Sequence, residues 1–218
     1  MPDQGAVGAR GSRDWRVWHQ SYADADSSLS RRLLVVRHRI GEVLDAADGP
    51  IRVLSLCAGD GRDILSELAA RTSVRATTTL VELDVELATS ARLVGSQLGG
   101  VDVRQGDAGD SANFADVLPV DLLLLCGIFG NIPTADIAAT VRAVPQMLAS
   151  HGTVIWTRGR FGDEEDLRPV IRRWFVDAGL REVAFDGEPE SFGVGVAQAA
   201  DQPSHQRPLP ERLFRFGR

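Results

Sequence analysis

Residues 51–71 read IRVLSLCAGDGRDILSELAAR: a strand-like aliphatic run, two glycines spaced by one residue, then at once a helical pattern. This order constrains the fold more than any other feature of the chain. A strand that is left through a helix needs a parallel neighbour to return to, and the same alternation recurs downstream. Strands are predicted over 51–56, 76–83, 101–105, 120–126 and 153–157. Helices are predicted over 63–71 and 85–98, through Ile137, Val141 and Val144, and over 165–178. The apolar run at 120–126 is what a central parallel strand covered on both faces requires. After residue 178 the rhythm changes, because 181–185 and 194–198 are strand-like with no helix between them, so a hairpin places one strand antiparallel.

The pattern predicts an α/β fold with a doubly wound, mostly parallel, seven-stranded Rossmann-like sheet whose last strand is antiparallel. Ahead of it, residues 1–14 are Gly-rich and aperiodic, and are read as a disordered tail. Residues 15–50 form a helical cover, with Leu29, Leu33, Val36, Ile40 and Val43 at three- and four-residue steps, Ser27 or Ser28 as the cap, and Asp48-Gly49-Pro50 as the stop. The main domain is 51–198. Residues 199–218 are a Pro-rich extension ending in RLFRF, whose apolar groups predict docking on the domain or on a partner subunit, as in a homodimer.

A chain of 218 residues can bury one core without disulfides or metal. Cys57 and Cys126 lie in apolar runs and read as free thiols of a reducing compartment, and no Cys/His set has metal-ligand spacing. No signal-peptide pattern or apolar run near twenty residues is present, so a cytoplasmic protein away from membranes is expected. A net charge of −6 opposes the positive field that gathers phosphate backbones, which argues against nucleic acid.

The glycine turn sits where doubly wound sheets bind ligands, beyond the carboxyl end of the first strand. Gly59 and Gly61 permit positive φ and close approach of a ligand to the backbone. Glu82 lies about twenty residues on, at the end of strand two, where a carboxylate can accept both hydroxyls of a ribose; Asp84 is the reserve. Asp107-Ala108 follows strand three, where the carboxylate can accept from an exocyclic amine and the Ala108 amide can donate to a ring nitrogen. These features converge on an adenosine.

On these residues the chain resembles the class I S-adenosylmethionine-dependent methyltransferases, over about residues 51–198. The resemblance implies S-adenosyl-L-methionine as cofactor. The family's first motif, acid-x-Gly-x-Gly-x-Gly, falls on Ser55-Leu56-Cys57-Ala58-Gly59-Asp60-Gly61, with Ser55 in place of the carboxylate and Cys57 in place of the first glycine. Its ribose acid falls on Glu82, followed by Leu83, its adenine-contacting pair on Asp107 and Ala108, and its segment after strand four on residues 126–132, beginning with Cys126. A nicotinamide dehydrogenase shares the turn logic but needs a third glycine where Ile64 stands. A nucleotide-binding protein without chemistry is the other alternative.

Methyl transfer from a sulfonium is an in-line displacement, so the acceptor side must align a nucleophile and exclude water. Trp18 and Tyr22 share a helical face with His19 at its edge, and could roof the cofactor with His19 as a base, or merely pack. Phe129 could wall the methyl-donor site and Asn131 could bond the acceptor, or both could serve the turn. Arg158 and Arg160 could clamp an acidic group, or pair with the acids at 164–166. With no appended module or basic tract, a small-molecule acceptor is expected.

Overall fold

The computed structural model describes residues 24, 26–160, 165–189, 191–201 and 208–216. Helix α1 (Ser28–Asp45) is capped by Ser27, whose hydroxyl accepts from the Ser30 amide at 3.1 Å. Then follow β1 (Ile51–Leu56), α2 (Ile64–Ala70), β2 (Ala76–Glu82), α3 (Val85–Gly95), β3 (Val101–Gln105), β4 (Val120–Leu125), α4 (Thr134–Met147), β5 (Leu148–Gly159), α5 (Arg168–Asp177), β6 (Arg181–Glu188) and β7 (Phe192–Gln198). The sheet has seven strands in the order β3-β2-β1-β4-β5-β7-β6, parallel except that β7 runs against both β5 and β6. The sheet is the one expected. β1 pairs with β2 on one side and β4 on the other, so the winding reverses between β1 and β4.

Alternation along the strands builds two cores. Leu122 and Leu124 of β4 face the layer of α1, α2 and α3, while Leu123 and Leu125 face α4 and α5. On that second face Trp156 is 1% exposed, with Phe175 at 5.6 Å and Phe129 and Phe185 each at 6.0 Å between ring centroids. Gly195, paired with Trp156 across β5 and β7, leaves room for the indole that a Cβ would take.

Several boundaries differ from expectation. Helix α3 stops at Gly95, not at residue 98, because the Gln97 and Leu98 amides turn to the Val94 and Gly95 carbonyls three residues back, each at 3.1 Å, tightening the end into turns. Helix α5 begins at Arg168, not 165, where the Asp166 carboxylate accepts from the Arg168 amide and guanidinium and Pro169 occupies the first turn. Pro145 is held inside the last turn of α4, which runs directly into β5. The buried stripe of α1 is Arg32, Val36, Ile40 and Leu44, displaced from the predicted one, so Leu33 turns toward the carboxyl edge of the sheet.

Residues 208–216 lie on the α4 side. Leu213 is 3% and Phe214 1% exposed, the Leu213 amide donates to the Gly109 carbonyl at 2.8 Å, and the Thr140 hydroxyl donates to the Leu213 carbonyl at 3.2 Å. The RLFRF segment docks on its own domain. Among the described residues no helix is long and apolar enough to cross a membrane.

Candidate functional site

At the end of β1 the chain enters a left-handed turn: φ is 55° at Cys57, 60° at Gly59 and 71° at Gly61. The glycines have different tasks. A Cβ at Gly61 would meet Leu65 at 2.7 Å and Leu80 at 2.9 Å, so its absence lets α2 close on the sheet. Gly59 instead turns its amide to the Glu82 carboxylate, at 2.8 Å. The other oxygen of Glu82 accepts from the Asp84 amide, also at 2.8 Å, so this one side chain latches the glycine turn to the β2–α3 turn. Burial pushes the Glu82 carboxyl above its ordinary range, and the amides of Asp84, Gly59 and Leu83 oppose that rise.

Cys57 adopts a backbone angle that favours glycine, at the position where the resembling family has glycine. Cys57→Val is expected to lower stability by about 1–3 kcal/mol, because a β-branched residue is strained there. Cys57→Gly should cost less than about 1 kcal/mol. Urea denaturation checks this; equal losses in both variants would show that packing of the thiol, not φ, sets the residue.

A cavity of about 290 Å³ opens above this turn, over the reversal point of the sheet. Cys57, Ala58, Gly59, Glu82, Leu83, Asp107, Ala108 and Cys126 all line it. Ser55 and Gly61 do not: Ser55 is 2% exposed within β1, between Leu80 and Leu124, and Gly61 is taken up by packing. Asp84 lines the wall but is spent as the cap of α3, accepting from the Glu86 and Leu87 amides. Asp107 accepts from the Gly109 amide at 2.8 Å and from the Arg212 guanidinium at 2.6 Å, so the C-terminal segment already holds this carboxylate.

Of the residues expected on the acceptor side, Phe129, Asn131, Arg158 and Arg160 do not line this cavity. Phe129 is fully buried among Trp156 and Phe175, a core group that does not line the cavity. The Asn131 side-chain Nδ2 donates to the Gly127 carbonyl at 2.7 Å, a bond within the turn. Arg158 is 8% exposed and donates to the Phe129 carbonyl at 2.7 Å, while the Gly127 amide donates to the Thr157 hydroxyl at 2.9 Å. Together they tie the loop after β4 to the end of β5. The Arg160 amide donates to the Ser191 carbonyl at 2.7 Å. Trp18, His19 and Tyr22 lie outside the described residues.

Lining residues that escaped sequence reasoning include Arg32, Leu33, Asp63 and Phe216. Arg32 carried a signal, since it extends the i, i+4 series of Val36, Ile40 and Leu44 with a charge. A charge in a buried stripe marks the point where the helix passes the sheet edge. Asp63 reads as a helix cap, which it also is, accepting from the Ile64 amide at 2.7 Å.

No family model matches the sequence, and no curated protein matches it. Solved structures do resemble the chain. An O-methyltransferase family protein from Burkholderia thailandensis aligns with a TM-score of 0.64 at 17% identity, covering 87% of this chain and 61% of that one. Magnesium protoporphyrin IX methyltransferase from Synechocystis PCC 6803, with bound SAM, aligns at 0.65 and 12% identity, over 87% and 92%. The CMeT domain of the citrinin polyketide synthase aligns at 0.67 and 14% identity, over 88% and 59%. The chain has the class I methyltransferase fold. It spans 61% of the length of the Burkholderia protein. Within this methyltransferase fold the cavity occupies the crevice where open α/β sheets bind ligands.

Proposed function

We propose that the chain binds S-adenosyl-L-methionine in this cavity and transfers its methyl group to a small-molecule acceptor. One observation carries the reading: Glu82 at the end of β2, Ala108 after β3 and the glycine turn after β1 line a single cavity at the reversal point of the sheet. Glu82 would accept from the ribose, its oxygens retaining lone pairs beyond those given to Gly59 and Asp84. Leu83 and Ala108 offer apolar surface to an adenine. When bound, the cofactor would supply an electrophilic methyl group; the protein's part is orientation and exclusion of water.

The two cysteines in the wall fit an electrophile of that kind. Burial raises the Cys57 thiol well above its ordinary range, with Glu82 and Asp107 adding to the rise. Burial raises Cys126 in the same way, with Asp63 adding to it. Both stay protonated near neutral pH, so neither competes as a thiolate for the methyl group. The net charge of −6 supports a small acceptor over a polyanionic one.

Thermal melting with S-adenosylhomocysteine tests the reading. At a hundred times its dissociation constant the ligand should add about 2.7 kcal/mol to stability. Tight binding of NAD, with no response to S-adenosylhomocysteine, would overturn it in favour of a nicotinamide enzyme.

A further inference from the structure

The sheet has a second cavity at its opposite end. It measures about 490 Å³ and lies where β1, β4 and β5 begin and β7 ends, between the last turn of α1 and the sheet. Its floor is apolar: Val43, Ile51, Ala184 and Val196 line it and belong to the core on the α1 side. Thr153 of β5 lines it too, on the face it shares with Ile155 two residues on. Thr153 is 6% exposed, and its hydroxyl has no hydrogen-bond partner among the described residues. The hydroxyl of Thr157, on the same face further along β5, takes the Gly127 amide. A hydroxyl so enclosed is ordinarily paired, and the open space beside Thr153 is this cavity.

The rim is acidic. Glu42, Asp48 and Asp121 line it, and the arginine beside them, Arg39, is shared between Glu42 and Asp186 at 2.7 Å each. Asp121 accepts from the Arg52 amide at 2.8 Å and meets its guanidinium at 3.3 Å. Asp48 has no hydrogen-bond or ion-pair partner among the described residues. His151, also in the wall, lies 3.4 Å from Asp201. Helix α1 ends here with no basic residue in its last turn, so its terminal carbonyls add to the negative potential. An apolar floor with a few convergent polar groups is the composition of a small-molecule site.

We infer that this cavity is a second ligand site, taking a small organic cation: its apolar body covers the floor, its ammonium meets Asp48 and Asp121, and its inner end carries a hydroxyl for Thr153. Each part of that ligand answers a feature of the wall. An anion of the same shape would face the carboxylates and the end of α1, and a purely apolar molecule would leave the Thr153 hydroxyl unpaired. No lining residue is common to this cavity and the one over the glycine turn, so the inference stands whether or not the latter takes S-adenosyl-L-methionine.

NMR titration of the isotope-labelled full chain tests this with three probes of similar size. They are tyramine, phenethylamine, which lacks the phenol hydroxyl, and para-hydroxyphenylacetate, which has a carboxylate in place of the ammonium arm. Tyramine should saturate with a dissociation constant of about 1 mM or below and shift the amides of Ala47, Thr153 and Val196. Phenethylamine should bind about three- to tenfold more weakly, and para-hydroxyphenylacetate at least about tenfold more weakly. Thr153→Val keeps the shape and, because the hydroxyl has no partner to lose, the fold. In that variant tyramine should fall to the level of phenethylamine. Asp48→Asn, at an exposed position, should weaken both amines by about two- to fivefold. Equal binding of tyramine and para-hydroxyphenylacetate overturns the inference, since it marks a crevice without preference for charge. Tyramine affinity unchanged in both variants overturns it as well, as does the absence of saturable shifts at these three amides up to about 20 mM.

Discussion

Replacing Glu82 by alanine is expected to reduce affinity for S-adenosylhomocysteine by at least about a hundredfold and to lower stability by about 2–4 kcal/mol. The two effects have one origin. Glu82 is 9% exposed, and its oxygens take the Gly59 amide from one turn and the Asp84 amide from the next. Without the carboxylate both donors lose their acceptor, and an unpaired buried donor costs about 1–3 kcal/mol. The Gly59 turn is also the floor of the cavity, so a ligand would meet a loosened backbone besides losing its ribose acceptor. Glu82→Gln separates the contributions, because one amide oxygen can still accept from Gly59 or Asp84 while the nitrogen cannot. It should recover part of the stability and little of the affinity. Chemical denaturation and calorimetry on the same samples give both readings, and an alanine variant that binds within threefold of the parent would remove Glu82 from the ribose assignment.

The sheet was legible in the sequence because local signals dictate it. Period-two and continuous apolar runs, broken by glycine turns and four-step helical stripes, leave few alternatives for a chain whose strands, the final hairpin apart, are linked by crossovers. That Glu82 and Asp107 line the cavity was legible for a related reason: the residues just at or past the carboxyl ends of parallel strands border the crevice. What the sequence did not disclose depends on contacts between distant elements. Phe129, flanked by glycines in the loop after β4, reads as a cavity wall or a turn residue, and Trp156 and Phe175 draw it into the core. Arg158 reads as a clamp for an anion or as a partner of the acids at 164–166, and the sequence gives no sign that its guanidinium donates to the carbonyl of Phe129. Asn131 leaves both readings open in the sequence, and its side-chain amide donates to the Gly127 carbonyl within the turn. Arg32 was hidden by the weight given to apolar residues in α1, where a single charge in the stripe was the informative residue.

The C-terminal segment bears the other large effect. Phe214 is 1% exposed in the core under α4, and Phe214→Ala should cost about 3–5 kcal/mol. Leu213 is 3% exposed beside it, so removal of residues 209–218 should destabilise the domain by at least as much. The apolar anchors decide this, because the Arg212–Asp107 pair is half exposed and well screened by water. Gly109→Ala reaches the same end without deleting an apolar group: the Phe214 carbonyl lies where the new methyl group would go, and the segment must lift. Release of the segment should also be felt in the cavity, since Phe216 lines it beside Ala108 and Arg212 holds Asp107. Truncation and Gly109→Ala are therefore both expected to weaken S-adenosylhomocysteine binding by roughly tenfold or more, the equivalent of about 1.4 kcal/mol. Phe216→Ala isolates the cavity contribution. Its ring is only partly buried and meets Phe214 edge-on at 5.6 Å, so melting should move little while affinity falls. A truncated chain that melts and binds like the parent would mean that residues 208–216 neither stabilise the fold nor shape the cavity, and that a cofactor at this site is enclosed by α1 and the sheet edge alone.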